Sequence, residues 1–331
     1  MADDTKNLQN LVPSLSTIKW LVIIIILIVL AKKFATTRQR RFKKKLNGRV
    51  VLITGSNSGI GFATAVDFAK RNAKVILACR DKIKGKKAAI RIQKISKNMN
   101  VVFKQLDLAS LSSVREFCRA ILTSESRLDV LINNAGLMAC PMNRTEDGFE
   151  MQFCVNYLGH FLLTNLLVNL IKKSQGKIIN ITSYLHKLGC INFKDLNSVQ
   201  SYNPWKAYYQ SKLAVVLFTQ ELSRRLTNSK VVANAVHPGM VVTNLYKHTI
   251  FGFPGMWYLL APITWLMWKS ADDAASLIVY LAVSDNVEDI TGQYFSNYKV
   301  QQLGQHALDE GVAKKLWDTS VDLVNLKNPQ I

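Results

Sequence analysis

The chain has 331 residues, 49% of them hydrophobic, which allows one substantial α/β core or two small ones. Lys and Arg number 43 against 22 Asp and Glu, and the net charge of +21 calls for an anionic partner. Five cysteines, at 79, 118, 140, 154 and 190, are odd in number and lack metal-ligand spacing. They argue against a disulfide framework or a metal site and for a reduced, cytosol-facing catalytic region.

The first element is an apolar run at residues 20–31 (WLVIIIILIVLA). Twelve helical residues cover only about 18 Å of a ~30 Å hydrocarbon core. Extension back to Leu11 makes a span feasible, with Lys19 able to snorkel to an interface. Nine Lys and Arg residues then crowd between Lys32 and Arg49, while Asp3 and Asp4 precede the run. That bias predicts an external or lumenal N-terminus and a catalytic domain in the cytosol. A cleaved signal peptide would carry its basic residues first. An interfacial or hairpin anchor remains the alternative to a span. The basic cluster reads as a contact with an anionic membrane surface, since no nucleic-acid recognition motif accompanies it. Residues 1–47 are thus expected to form an anchor and basic linker, and 48–331 one catalytic domain.

From Arg49 the pattern becomes alternating strands and helices. Strands are expected at Val50–Thr54, Lys74–Cys79, 101–106 and 128–132, with helices at 60–71, 84–97 and 112–122 between them. Such alternation predicts a single doubly wound α/β domain, a parallel sheet with helices on both faces. The N-x-Thr triplets at Asn143 and Asn180 read as accidents of sequence, the second lying within a strand.

The first strand runs into Thr54, Gly55, Ser56, Asn57, Ser58, Gly59, Ile60 and Gly61. Glycines let this turn approach a pyrophosphate, and the helix that follows points free N–H groups at it. At the end of the second strand stand Cys79, Arg80 and Asp81. Arg80, with Lys84 one helical turn on, suits a 2′-phosphate, whereas Asp81 could pair with Arg80 or serve a ribose hydroxyl. NADP(H) is therefore the favoured cofactor, with NAD(H) the alternative.

Tyr208 and Lys212 lie four apart in a helical segment at 205–226 and share a face, while Tyr209 points elsewhere and reads as packing. A free tyrosine titrates near pH 10, and a neighbouring ammonium favours its phenolate at neutral pH. A strand at 177–182 ends at Ser183, whose hydroxyl could hold a substrate oxygen, with Thr182 as competitor. Asn156 falls on a long helix.

These motifs, in this order, resemble the short-chain dehydrogenase/reductase family. The phosphate turn has its T-G-x-x-x-G-x-G spacing, and Asn133, Asn134, Ala135 and Gly136 match a second motif. The resemblance covers about residues 48–298 and implies a Rossmann-type oxidoreductase. It implies that Tyr208 exchanges a proton with the substrate oxygen, Ser183 bonds that oxygen, and Lys212 tunes the tyrosine and holds the nicotinamide ribose. Asn156 would organise a water relay, and Asn134 would support the sheet and border the cofactor. Asp107 sits where the family contacts adenine, or else caps the following helix. After a sixth strand at 230–236, Pro238 and Gly239 match a turn against the nicotinamide, and Thr243 a contact to its carboxamide. His237 has no carboxylate partner and reads as structural.

The 25-residue gap between Ser183 and Tyr208 is similar to that of the retinol-dehydrogenase-like branch. That likeness implies a membrane-anchored enzyme acting on lipophilic alcohols and aldehydes, retinoids and longer isoprenoids before steroids. The expected location is an intracellular membrane, the endoplasmic reticulum, and a homo-oligomer is left open. Residues 250–268 carry no charge, yet Pro254 and Pro262 oppose a spanning helix. They are expected to form the centre of a substrate lid at about 244–269 that also touches the bilayer. Two rivals remain: a catalytically retired member that serves as a scaffold, and a lipid-binding protein. Turnover by Tyr208→Phe, and lipid binding without cofactor oxidation, would distinguish them.

Overall fold

A computed structural model describes residues 42–241 and 269–327, with Ser16, Lys19, Trp20 and Ile23. Most of the apolar run at 20–31, the proposed lid segment at 244–268, and Thr243 lie outside the described residues. The core is one eight-stranded sheet in the order β3-β2-β1-β4-β5-β6-β7-β8, parallel except for the last pair. Its strands are β1 (Val50–Thr54), β2 (Lys74–Cys79), β3 (Val101–Gln105), β4 (Val130–Asn133), β5 (Lys177–Ile181), β6 (Val232–Val236), β7 (Tyr294–Ser296) and β8 (Lys299–Val300). β1 and β4 are buried on every residue, as strands covered on both faces must be.

One face carries α1 (Gly59–Lys70), α2 (Lys82–Ser96) and α6 (Ala271–Val283), which share a core with β1 and β2. The other carries α3 (Leu111–Ser124), α4 (Met151–Ser174), α5 (Pro204–Arg225) and α7 (Glu310–Leu323). α4 is long and apolar enough to cross a bilayer, but 89% of its apolar window is buried, so it is a core helix. The strand order reverses between β1 and β4, so the chain ends leaving these strands diverge into a crevice.

Strand β7 falls where a closing sheet element is expected, at 293–295, whereas β8 and α7 were not expected from the sequence. α7 closes the outer face of α4 and α5: Trp317 is 1% exposed against Phe161 and Phe218, at 5.0 and 5.8 Å between ring centres. At the opposite layer, residues 42–46 are tied down before β1 begins. Arg71 donates to the carbonyls of Phe42 and Lys44, and the Phe42 ring lies 5.6 Å from Tyr280 of α6.

Candidate active site

The crevice is a cleft of about 1150 Å³ that joins the phosphate turn to Ser183, Tyr208 and Lys212. At its phosphate end Gly55 has φ +64°, which favours glycine, and an added Cβ would meet Ala135 Cα at 2.8 Å. At Gly61 a Cβ would come within 2.6 Å of both Asn134 Nδ2 and Gly55 O. The first turn of α1 has neither a side-chain cap nor an acidic residue, so its N–H groups stay available to an anion. These features fit a dinucleotide pyrophosphate. Ser56 departs from its expected role. It is fully buried, its hydroxyl donates to Ile53 O at 2.9 Å, and it does not line the cleft.

Asn134 ties the two diverging strands together, its amide donating to Thr54 O at 2.8 Å. Thr54 Oγ1 in turn accepts the N–H groups of Asn134 and Ala135, both at 2.9 Å. Arg80 is exposed at the cleft edge, and among the described residues its guanidinium has no hydrogen-bond or ion-pair partner. Asp81 is engaged otherwise: it caps α2 by accepting Lys84 N–H at 2.9 Å and pairs with Lys84 Nζ at 3.4 Å. That backbone bond holds its carboxyl below the ordinary range. Neither of its bonds goes to Arg80. Asp107 lines the cleft and accepts Ala109 N–H at 2.9 Å. The helix cap it might have supplied comes from Ser110, which accepts Ser113 N–H at 3.2 Å.

At the chemical end, α5 begins with Asn203 as cap and Pro204 in its first turn, and so delivers Tyr208 and Lys212 to one face. Lys212 Nζ is buried and donates to Ile181 O at 3.1 Å. Burial without an acidic partner lowers its pKa to about 8. Nζ lies 5.8 Å from the Tyr208 ring centre. Thr182 donates its hydroxyl to Lys212 O at 2.9 Å from a buried position, which leaves Ser183 as the hydroxyl in reach of a substrate. Ser183 Oγ accepts Leu185 N–H at 3.2 Å and keeps its own proton to donate.

Asn156 sits in a π-helical turn, Cys154–Leu158, within α4. An extra residue in a helix turn turns a side chain out of register, and such turns recur at functional sites. Asn156 does not line the cleft itself; it holds the loop that does, through Leu137, and it donates to Ser211 Oγ at 2.9 Å. Pro238 and Gly239 line the cleft. His237 also lines it, with its buried Nδ1 lacking a partner among the described residues, and burial lowers its pKa to about 4.

Three supporting groups escaped the sequence reading. His160 is buried and its pKa falls to about 3 by desolvation. Neutral, it donates from Nδ1 to Asn156 O at 3.2 Å and accepts the Thr54 hydroxyl at Nε2 at 2.9 Å. His186 donates from Nδ1 to Ser183 O at 2.7 Å and accepts Gly304 N–H, bracing the serine from the C-terminal side. Asn180, set aside as a chance triplet, accepts from Asn133 at 2.7 Å and donates to Thr219 at 2.9 Å in a buried polar ladder. A histidine four residues after an asparagine carries no signal until the fold places a threonine hydroxyl opposite it.

The family profile of the short chain dehydrogenases matches residues 49–250, and the chain belongs to that family. It is 49% identical to human retinol dehydrogenase 13 over 292 residues, 87% of this chain and 88% of that protein. Human retinol dehydrogenase 14 is 44% identical over 318 residues, covering 89% and 93%. Among solved structures, a protein of uncharacterised function from Mycobacterium paratuberculosis superimposes with a TM-score of 0.68 at 39% identity, over 85% of this chain and 95% of that one. A metagenomic blue fluorescent protein in complex with NADPH gives 0.61 at 25% identity, over 76% and 97%. The protein is a short-chain oxidoreductase related to the retinol dehydrogenases.

Proposed function

We propose that the protein is an NADP(H)-dependent alcohol dehydrogenase or carbonyl reductase for a lipophilic substrate. The observation that carries this reading is the convergence of Tyr208, Lys212 and Ser183 in one cleft with the phosphate turn. Away from the phosphate turn the cleft is largely apolar among the described residues, lined by Met138, Tyr184, Leu185, Trp205 and Met240 beside the buried imidazole of His237. A retinoid or longer isoprenoid alcohol, or its aldehyde, suits such a wall.

Tyr208 passes a proton to the substrate oxygen in reduction and takes it back in oxidation. Ser183 donates a hydrogen bond to the same oxygen and so fixes its place beside the phenol. The buried Lys212 ammonium stabilises the phenolate left behind, and Asn156 sets the loop that walls the relay. Gly55, Gly59, Gly61 and the start of α1 would hold the pyrophosphate, Asp107 the adenine side, Asn134, Ala135 and Gly136 the floor, and Pro238, Gly239 and Thr243 the nicotinamide side. Arg80, unpaired at the cleft edge, would bind a 2′-phosphate. The nicotinamide supplies or accepts the hydride.

The apolar run at 20–31 would anchor the enzyme in an intracellular membrane, the endoplasmic reticulum, with this domain in the cytosol. Residues 250–268 would cover the substrate at the bilayer surface. Relatives named as retinol dehydrogenases support this substrate class. The test is a panel of retinoid, polyisoprenoid and steroid alcohols and carbonyls, followed at the nicotinamide absorbance with each cofactor. Turnover of the lipid substrates with NADPH is expected. Turnover confined to small polar carbonyls, or lipid binding with no cofactor oxidation, would overturn the reading.

A further inference from the structure

Helix α2 is built the wrong way round for a helix that only covers a sheet. Its buried residues are Gly85, Ala88, Ala89 and Ile92, mostly small. Gly85 lies so close to the Phe103 ring that a Cβ there would collide with it, which brings the helix hard against β3. Three of its four isoleucines face water instead: Ile83 is 68% exposed, Ile90 53% and Ile95 43%. At 100° per residue, Ile83, Lys87, Ile90 and Lys94 form one stripe directly opposite the buried face, at spacings i, i+4, i+7 and i+11.

The charge of this surface is of one sign. Lys82, Lys84, Lys86, Lys87, Arg91 and Lys94 lie within the helix and Lys97 follows it, with no acidic residue between Asp81 and Asp107. Lys84 is paired with Asp81, and Arg91 rests over the Phe62 ring at 5.0 Å. Among the described residues Lys82, Lys86, Lys87, Lys94 and Lys97 have no acidic partner. Leaving this many like charges unpaired costs self-repulsion that an anionic partner would relieve.

We propose that the outer face of α2 is a docking surface for an anionic lipid bilayer, with Ile83 and Ile90 entering the headgroup boundary and the lysines meeting lipid phosphates. A basic helix face with a central aliphatic stripe is the pattern of interfacial membrane contact. Simple steering of an anionic cofactor would need the charge but not the isoleucines, and it would not need Lys94 and Lys97 at the end of α2 away from Arg80. Residues 42–46 pack on the layer of the molecule that also carries α2, against α1 and α6. The surface does not depend on the apolar run at 20–31 being a membrane anchor.

The test uses the full chain carrying Cys190→Ser, which removes the exposed thiol, and Ile90→Cys labelled with a polarity-sensitive nitrobenzoxadiazole dye. Emission is read with phosphatidylcholine vesicles, with and without about 30% phosphatidylserine. A rise of about twofold on the anionic vesicles is expected, reversed by about 0.5 M NaCl and lost when Lys86, Lys87, Lys94 and Lys97 are changed to Gln. A label at exposed Lys314→Cys on α7, across the sheet, should stay flat. The near-UV circular dichroism of the glutamine variant verifies its fold. Emission that stays flat while the chain sediments with both vesicles would overturn the proposal and leave the anchor standing. Sedimentation with anionic vesicles alone, together with the emission rise, would uphold it and remove the anchor. A rise produced equally by soluble RNA or polyglutamate would overturn it in favour of a macromolecular polyanion.

Discussion

Asn156 and Leu137 exchange two hydrogen bonds: Leu137 N–H donates to Asn156 Oδ1 at 2.7 Å, and Asn156 Nδ2 donates to Leu137 O at 3.0 Å. A side-chain amide here acts as a strand partner for the loop after β4, and that loop walls the cleft beside Tyr208 and Lys212. The π turn in α4 is what brings the amide level with the loop. Asn156→Ala removes both bonds and the one to Ser211, so the loop loses its register. Turnover should fall by about 10²-fold with cofactor affinity changed far less, as stopped-flow binding beside steady-state kinetics would read. Equal losses in binding and turnover would mean that Asn156 supports the fold at large.

Lys212 couples catalysis to stability with opposite signs. Its pKa is lowered by burial from 10.5 to about 8, so the ammonium is disfavoured in the folded protein. The resulting cost is fully present below pH 8, and it fades as pH rises from about 8 toward 10.5. Lys212→Met should therefore hold or raise the melting temperature at pH 7 while turnover falls by about 10²- to 10⁴-fold. The charge itself is lost as pH rises through about 8, and reductive kcat/KM in the wild type should decline there. A melting temperature that drops on substitution would show that the Ile181 hydrogen bond outweighs the desolvation.

In the proposed reading cofactor choice rests on Arg80, because Asp81 is committed to capping α2. Arg80→Glu puts an acid where a 2′-phosphate would lie, and kcat/KM with NADPH should fall by about 10- to 100-fold relative to NADH. An unchanged ratio would move the determinant elsewhere.

Trp317 measures what α7 contributes. Trp317→Ala empties a fully buried site against Phe161, Phe218 and the Arg225 guanidinium, and it should cost about 3–5 kcal/mol in denaturant unfolding. Loss of well under 1 kcal/mol would mean that α7 is a loosely held appendage.

Most of the site was legible because its signals are local. A strand ending in Gly55, Gly59 and Gly61, and a Tyr208–Lys212 spacing on one helix, are written within a few residues each. The parallel sheet followed from alternation alone. What escaped was non-local. His160 matters through Thr54, 106 residues away, and His186 through Gly304, 118 away. Ser56 looked like a phosphate ligand by its company, but its backbone bond to Ile53 turns the hydroxyl inward. α7 lacks any motif, and only the exposed flank of α4 and α5 explains why a helix is needed there. The reversal of large and small residues on α2 was invisible as well, since a basic helix shows its isoleucines without showing which face they take.

The central claim is that Tyr208 moves the proton. The most direct measurement compares wild type and Tyr208→Phe for reduction of a lipophilic aldehyde by NADPH, with cofactor affinity measured in parallel. The ring stays and only the hydroxyl goes, so the buried packing against Met138 and Ala139 is kept. Turnover should fall by about 10²- to 10⁴-fold while NADPH binds as before. Equal turnover by the two proteins would contradict the assignment.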